Sequence, residues 1–422
     1  MGKTITEKIL ARVAGLSEVT AGEEIAAKPD FVLAYDWPGQ TDVIFKEIKA
    51  NFGINRLKEP ERFALFIDHM SSAGSPEDVK FHEQTRSSCA ELGIEVFEHK
   101  GIGHHVAGEV GYASPGGFVV HFDGHVSQLG AYGTLAIGLR RSLIEAFVSD
   151  TVTITVPHTV RVDLTGQLPR GVMPRDVFHH LVRLLGPGSC SFQVLELGGP
   201  SLNQFSTDGL QAMTGLAMFI GAVTAIVNPE DEVRYEHATS VAKKSFGRIM
   251  SDSDAFYSAR HTVDLSSLGP VIVAPPSPAN TRELGEYLGL EVHVGYIGSC
   301  VSGKLEDLRA AANVLRGRRV QPGFTLNVVP SSQKILAEAA AEGLIATLVE
   351  AGAFIGASTC DFCYGRLGVM TAGQRAVSTG TLNVRGRMGD INSEIYICSA
   401  ATIAASAIEG RIADPRNYLP KY

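Results

Sequence analysis

The sequence predicts an α/β protein built on mainly parallel sheets, and three observations carry the prediction. Strand-like apolar runs such as FVLAYDW and FALFIDH each lead into a helix-patterned segment, the order that a parallel sheet with covering helices requires. A second run of the same kind, EVHVGYIGSC, KLEDLRAAANVLRG, TLNVVPSS and QKILAEAAAEGLIATLVEAG, fills the C-terminal half. The chain has 422 residues, too many for one ordinary core, and at 45% apolar it can fill two or three.

Taken in order, the segment MGKTITEKILARVAGLSE places a charge every few residues and reads as an ordinary helix, not a cleaved signal peptide. Gly2 and Thr6 stand at myristoylation spacing, a pattern short enough to arise by chance. FVLAYDW is a strand followed by a helix around residues 42–51; FALFIDH is a strand followed by a helix around 78–92; IEVFEH is the next strand. Residues 151–168, TVTITVPHTVRVDLTGQL, alternate with period two and predict an antiparallel insertion before a helix at Pro174–Leu185. The uncharged stretch 209–229 has the length of a membrane span. It is single, rich in Gly, Ala and Thr, and set among polar segments, so a buried helix is expected. Residues 235–256 read as a polar helix. The Pro-rich turns of VDLSSLGPVIVAPPSPANTREL then mark a boundary between a region 1–280, holding two pseudo-related subdomains, and a region 281–422. In that second region Cys300 and residues 330–332 fall at carboxyl ends of predicted strands, where α/β folds keep their sites.

The net charge of -8, with pI near 5.9 and scattered Lys and Arg, leaves no electrostatic footprint for nucleic acid. A small molecule is the expected partner, with neither nucleic acid nor membrane. Six cysteines, Cys89, Cys190, Cys300, Cys360, Cys363 and Cys398, are too few for a disulfide framework and predict a cytoplasmic protein. Cys360-Asp-Phe-Cys363 is therefore a metal or redox motif. A zinc site would need a second C-x-x-C or a His pair nearby, and a redox dithiol a helix N-terminus near the start of a small domain. Adding Cys300 gives three thiolates from two loops. That is one fewer than a fully ligated [4Fe-4S] cluster uses, so one iron would stay open to a substrate oxygen. On spacing alone, three unrelated thiols remain the alternative.

YIGSCVSGKLEDLRAAANVL closely resembles the IGSCTNGR loop and following EDLR helix of the 3-isopropylmalate dehydratase large subunits, in the aconitase superfamily. The resemblance spans nearly the whole chain: FIDHM for V-D-H-N, GIGHH for G-I-x-H-Q, DGHVSQLGAYG for D-S-H-T-S-T-H-G-A-F-G, and the closing EGRIADPRNYLP. It implies an aconitase-like fold of three α/β domains around a cluster site, lacking the swivelling fourth domain. A separate small subunit then supplies that domain and the base that takes the proton from carbon. It implies a hydro-lyase acting on a small hydroxy acid, with a [4Fe-4S] cluster on Cys300, Cys360 and Cys363. Asp68 and His69 match an acid/base pair for the leaving hydroxyl. His104 and His125 match histidines lining cluster and substrate, and Asp123 the nearby carboxylate. Arg387 matches a carboxylate-gripping arginine, with Arg385 a possible substitute for its lost companion and Ser302 at the place of a loop asparagine.

The departures bear on the substrate. Where the motif reads N-R-N-F-x-G-R, the chain has Thr381-Leu382-Asn383-Val384-Arg385-Gly386-Arg387, so the first arginine is Leu382. Asp-Ser-His is Asp123-Gly124-His125, and the Asn and Glu of M-T-x-C-N-M-x-I-E are Ala217 and Gly221. These predict a less polar pocket and a changed substrate, such as a substituted malate. Isopropylmalate isomerisation is the closest named activity that the resemblance implies, and a non-catalytic cluster-binding homologue and a zinc enzyme on the same thiolates are the other readings. The retained Asp68, His69, His104, Asp123 and His125 speak against the non-catalytic one.

Overall fold

The computed structural model describes residues 2–230 and 232–419, and the last residue of the EGRIADPRNYLP motif, Pro420, lies outside them. Each βα run does form a parallel sheet. The first has five parallel strands in the order Glu95–Glu98, Phe63–Ile67, Phe31–Tyr35, Phe118–His121 and Leu135–Gly138. Chain order reverses at Phe31–Tyr35, whose neighbours depart to opposite sides. This leaves a crevice at the carboxyl ends, the general ligand position of open α/β sheets. Asp36, Asp68 and Asp123 all follow strands that meet there.

The third sheet repeats the device. Its seven strands run Thr281–Glu283, Val271–Val273, Glu394–Ile397, Arg375–Ser378, Val294–Ile297, Thr325–Val328 and Phe354–Ile355, with the last five parallel to one another. Val294–Ile297 lies between Arg375–Ser378 and Thr325–Val328, so the reversal again falls at the strand leading into a site residue, Cys300. A four-stranded parallel sheet, Thr224–Val227, Val194–Gly198, Thr159–Thr165 and Ala259–Asp264, completes the main layers. Its side chains share one apolar core with those of the first sheet. Leu195, Leu197 and Phe178 pack in it with Phe66, Val119, Cys300 and Val301.

Three expectations need correction. Residues 151–168 are not an antiparallel unit: Val152–Thr155 pairs antiparallel with Glu24–Ala27, while Thr159–Thr165 lies in the four-stranded parallel sheet. Period-two alternation cannot tell a hairpin from two strands parted by Pro157. The stretch 209–229 is not one buried helix. It breaks into the helix Thr207–Thr214, a 3-10 turn Ala217–Ile220 and the strand Thr224–Val227, because Gly215 and Gly221 end the first two, Gly221 in the left-handed region (φ 85°). Among the described residues no helix is long and apolar enough to cross a membrane. The polar helix stops at Val241, and the residues that follow to 256 run as turns and coil. With little apolar bias on any face it has nothing to bury further along.

Candidate active site

The loop Gly298-Ser299-Cys300 leaves its strand with Ser299 at φ 93°, a conformation L residues rarely adopt. It is held there by Thr379 at the end of the neighbouring strand. The Ser299 hydroxyl donates to the Thr379 carbonyl (3.1 Å), and the Gly298 amide donates to the Thr379 hydroxyl (2.8 Å). Cys360 and Cys363 sit in the 3-10 turn Cys360–Tyr364, started by the Thr359 side chain, which accepts from the Asp361 amide. Thr359 also donates to the Asp68 carbonyl (2.9 Å), Cys360 N donates to that same oxygen (3.1 Å), and the Met70 amide donates to Asp361 (2.8 Å). The cysteine turn of the third sheet is thereby tied to the Asp-His turn of the first. Gln128 donates to the Cys300 carbonyl (3.0 Å), a second tie across the same gap.

Cys360 and Cys363 sulfurs are 3.2 Å apart, well beyond the roughly 2.05 Å of a disulfide, and all three thiols are buried. Cys360 keeps its proton and donates it to Cys363, which is lowered to about 7 by that hydrogen bond and by the Arg387 guanidinium 3.6 Å away. Burial raises Cys300, with the nearby Cys363 charge adding to it. Tyr296, packed on Phe362, keeps a buried hydroxyl without a partner, near enough to all three sulfurs for its ionisation to be disfavoured by them after burial itself. Three soft donors converge with a cation and an unsatisfied hydroxyl among them, which fits a cluster held by three thiolates.

Two imidazole–carboxylate units stand over these thiols. In one, His69 Nδ1 lies 2.6 Å from Asp68 Oδ1, off the axis of a good hydrogen bond, and 3.5 Å from Asp36 Oδ1. Burial opposes a charge on His69, but the Asp68 and Asp36 carboxylates outweigh it and raise the imidazole well above its usual range. Asp36 accepts the amides of Asp68 (3.1 Å) and His69 (3.2 Å) and contacts His82 (3.1 Å). Burial works against its ionisation, and these partners hold it low. In the other unit, Asp123 accepts from the backbone N (2.7 Å) and ring Nδ1 (2.9 Å) of His125 and pairs with His104 Nε2 at 3.5 Å. The two histidines hold Asp123 well below the usual carboxylate range against the cost of burial. His125 Nε2 and His104 Nδ1 are buried without protein partners.

The sequence-predicted Cys300, Cys360, Cys363, Asp68, His69, His104, Asp123, His125 and Arg387 thus come together, while two others do not. Ser302 turns its hydroxyl to Asp307 (2.7 Å), at the start of the helix Leu305–Leu315, and offers nothing to the site. Arg385 is exposed on a separate cavity of about 330 Å³ with Arg375, Asn383 and Glu394, so it does not stand in for the missing arginine. Leu382 packs against the core that contains Cys300, and Met218 fills the space a side chain at Gly124 would need, its methyl 2.9 Å from that Cβ position. Gly221 faces Ser191 on a turn, away from the thiols.

Asp36, His121, Trp37 and Lys304 are participants that sequence reasoning passed over. Trp37 sets its ring 4.7 Å from His69 and 5.0 Å from Tyr364. His121 is kept neutral by burial and by His104 beside it. Asp36 had one available signal, its place directly after an apolar strand.

Residues 66–410 match the aconitase family (aconitate hydratase). The chain is 36% identical to the 3-isopropylmalate dehydratase large subunit 1 of Methanopyrus kandleri, over 99% of this chain and 100% of that protein. It is also 36% identical to the 3-isopropylmalate dehydratase large subunit of Moorella thermoacetica, over 98% and 99%. Identity to a probable methanogen homoaconitase large subunit from Methanothermobacter thermautotrophicus is 32%, over 98% and 97%. Among solved structures, the holo-form of Thermococcus kodakaraensis aconitase X aligns over 89% of this chain and 88% of its own with a TM-score of 0.51 at 13% identity, a likeness of fold.

Proposed function

The chain belongs to the aconitase family, and from that premise we propose that it is the large subunit of an iron-sulfur hydro-lyase whose substrate is a small hydroxy acid with one carboxylate fewer, or an alkyl group more, than the usual family substrate. One observation supports the substrate reading above others: Leu382 packs apolar against the Cys300 core where the motif places an arginine. A [4Fe-4S] cluster on Cys300, Cys360 and Cys363 would supply a Lewis acid that polarises the departing hydroxyl.

The protein groups divide the remaining work. Arg387, beside Cys363, grips a substrate carboxylate with its guanidinium. His69 holds a proton at neutral pH because Asp68 and Asp36 favour its charged form. With Nδ1 turned to Asp68, Nε2 is the atom that delivers the proton to the leaving hydroxyl. Asp123 orients His104 and His125 so that their unpartnered nitrogens can position substrate oxygen. Burial of Asp36, Asp68, His69, His104 and His125 keeps bulk water from competing for these groups. The base that removes the proton from carbon belongs to a small partner subunit, as the large-subunit names of the relatives suggest.

The test is anaerobic reconstitution of the chain with a candidate small subunit, followed by alkene formation, read by ultraviolet absorbance, across hydroxy acids. An alkyl-substituted malate other than 3-isopropylmalate is expected to turn over faster than citrate and 3-isopropylmalate. Efficient turnover of either of the last two would overturn the substrate reading.

A further inference from the structure

Lys304 is fully buried, the environment most costly for an ammonium, and sits four residues beyond Cys300. It donates to His105 Nδ1 (2.7 Å) and to Gln128 Oε1 (3.1 Å). Gln128 passes the tie on by donating from its amide nitrogen to the Cys300 carbonyl (3.0 Å). His105, with Nδ1 accepting, carries its proton on Nε2 and donates to Glu109 (3.1 Å), which also accepts from the Ser332 hydroxyl (2.6 Å). His105 and Gln128 each have both polar ends engaged, so the network ties its segments together through hydrogen bonds at both sides of each ring or amide. Its three arms are the segments that carry the site. His105 neighbours His104 on the helix Gly103–Glu109, Gln128 lies three residues after His125, and Lys304 follows Cys300. At these two places the chain also departs from the motifs quoted above, with His105 for Gln and Lys304 for Arg.

We propose that Lys304 is the positioning residue of this site, joining the His104 helix, the His125 segment and the Cys300 loop, and setting with the Asp208, Asp307 and Glu109 carboxylates around it the net charge felt by whatever Cys300 holds. The proposal rests on the cluster reading above. An ammonium unbalanced by Glu109 favours the more negative, reduced state of a nearby redox centre, and the carboxylate without the ammonium disfavours it.

The test compares the reduction midpoint of the reconstituted full chain by dithionite titration followed by electron paramagnetic resonance. Lys304→Met shifts the midpoint to more negative values and Glu109→Gln shifts it to more positive values. In the complex with the small subunit, Lys304→Met lowers kcat at least tenfold with KM within twofold, and Lys304→Arg recovers most of it. A merely structural role moves both midpoints the same way or not at all, and either result overturns the proposal. If Lys304→Met does not fold, an unchanged midpoint in Glu109→Gln overturns it alone. A wild-type chain that takes up no iron refutes the cluster reading instead, which keeps the two failures apart.

Discussion

Leu382→Arg restores the arginine of the motif at the point where the pocket turns apolar. The side chain is half-buried and packs on the core around Cys300, so its replacement forfeits about 1 kcal/mol of apolar burial. Against this, a guanidinium meeting a substrate carboxylate makes a charge-assisted, bidentate pair of about 1.5–3 kcal/mol. The stability loss falls equally on all substrates, whereas the new pair forms only with an acid that carries the extra carboxylate. The ratio of kcat/KM between such an acid and its alkyl-bearing counterpart should therefore rise by about tenfold to a hundredfold. The assay is alkene absorbance for both acids with one preparation of the complex, its iron content measured alongside. A variant that folds, holds iron and leaves the ratio within twofold of wild type refutes the reasoning.

The single tryptophan reports on His69, because Trp37 lies 4.7 Å from that ring and a protonated imidazole quenches indole emission. His69 is raised above its unfolded value of about 6.5, so the stability it contributes is full below that pH and fades as pH climbs through the folded value. Emission of the cluster-free chain should rise only on the alkaline side of 6.5. In Asp68→Asn the rise should move to lower pH, and an unmoved midpoint contradicts the pairing. Gly124→Ser should be tolerated at a cost under about 1 kcal/mol, since the obstructing atom is the mobile end of Met218; loss of folding in denaturant titrations contradicts that reading.

How far the sequence anticipates this structure differs from one segment to the next, for physical reasons. The helix Pro174–Leu185 falls at its predicted bounds because Pro174 opens it, the Asp176 side chain caps it, and one face is consistently apolar. The helix predicted around 78–92 begins at Pro76, two residues early, since Ser75 and Asp78 form the cap. QKILAEAAAEGLIATLVEAG is instead two helices, Gln333–Ala341 and Leu344–Ala351, parted at Gly343 with φ 72°. The site cysteines and histidines were legible because each lies in a motif whose order survives. Asp36 and Lys304 were not. Asp36 offers only its place directly after an apolar strand, and it acts through backbone amides that leave no periodic trace. Lys304 reads as the solvated start of a helix until the fold buries it against His105.

The central claim is that Cys300, Cys360 and Cys363 together hold an iron-sulfur cluster. Its most direct test is iron and sulfide content, with visible absorption, in the anaerobically reconstituted chain and in Cys300→Ser, Cys360→Ser and Cys363→Ser. About four irons per chain in wild type and a large loss in each variant are predicted, with Cys398→Ser, which packs in a different apolar core from the three, unchanged. Iron content that is the same in all three site variants as in wild type would contradict the account.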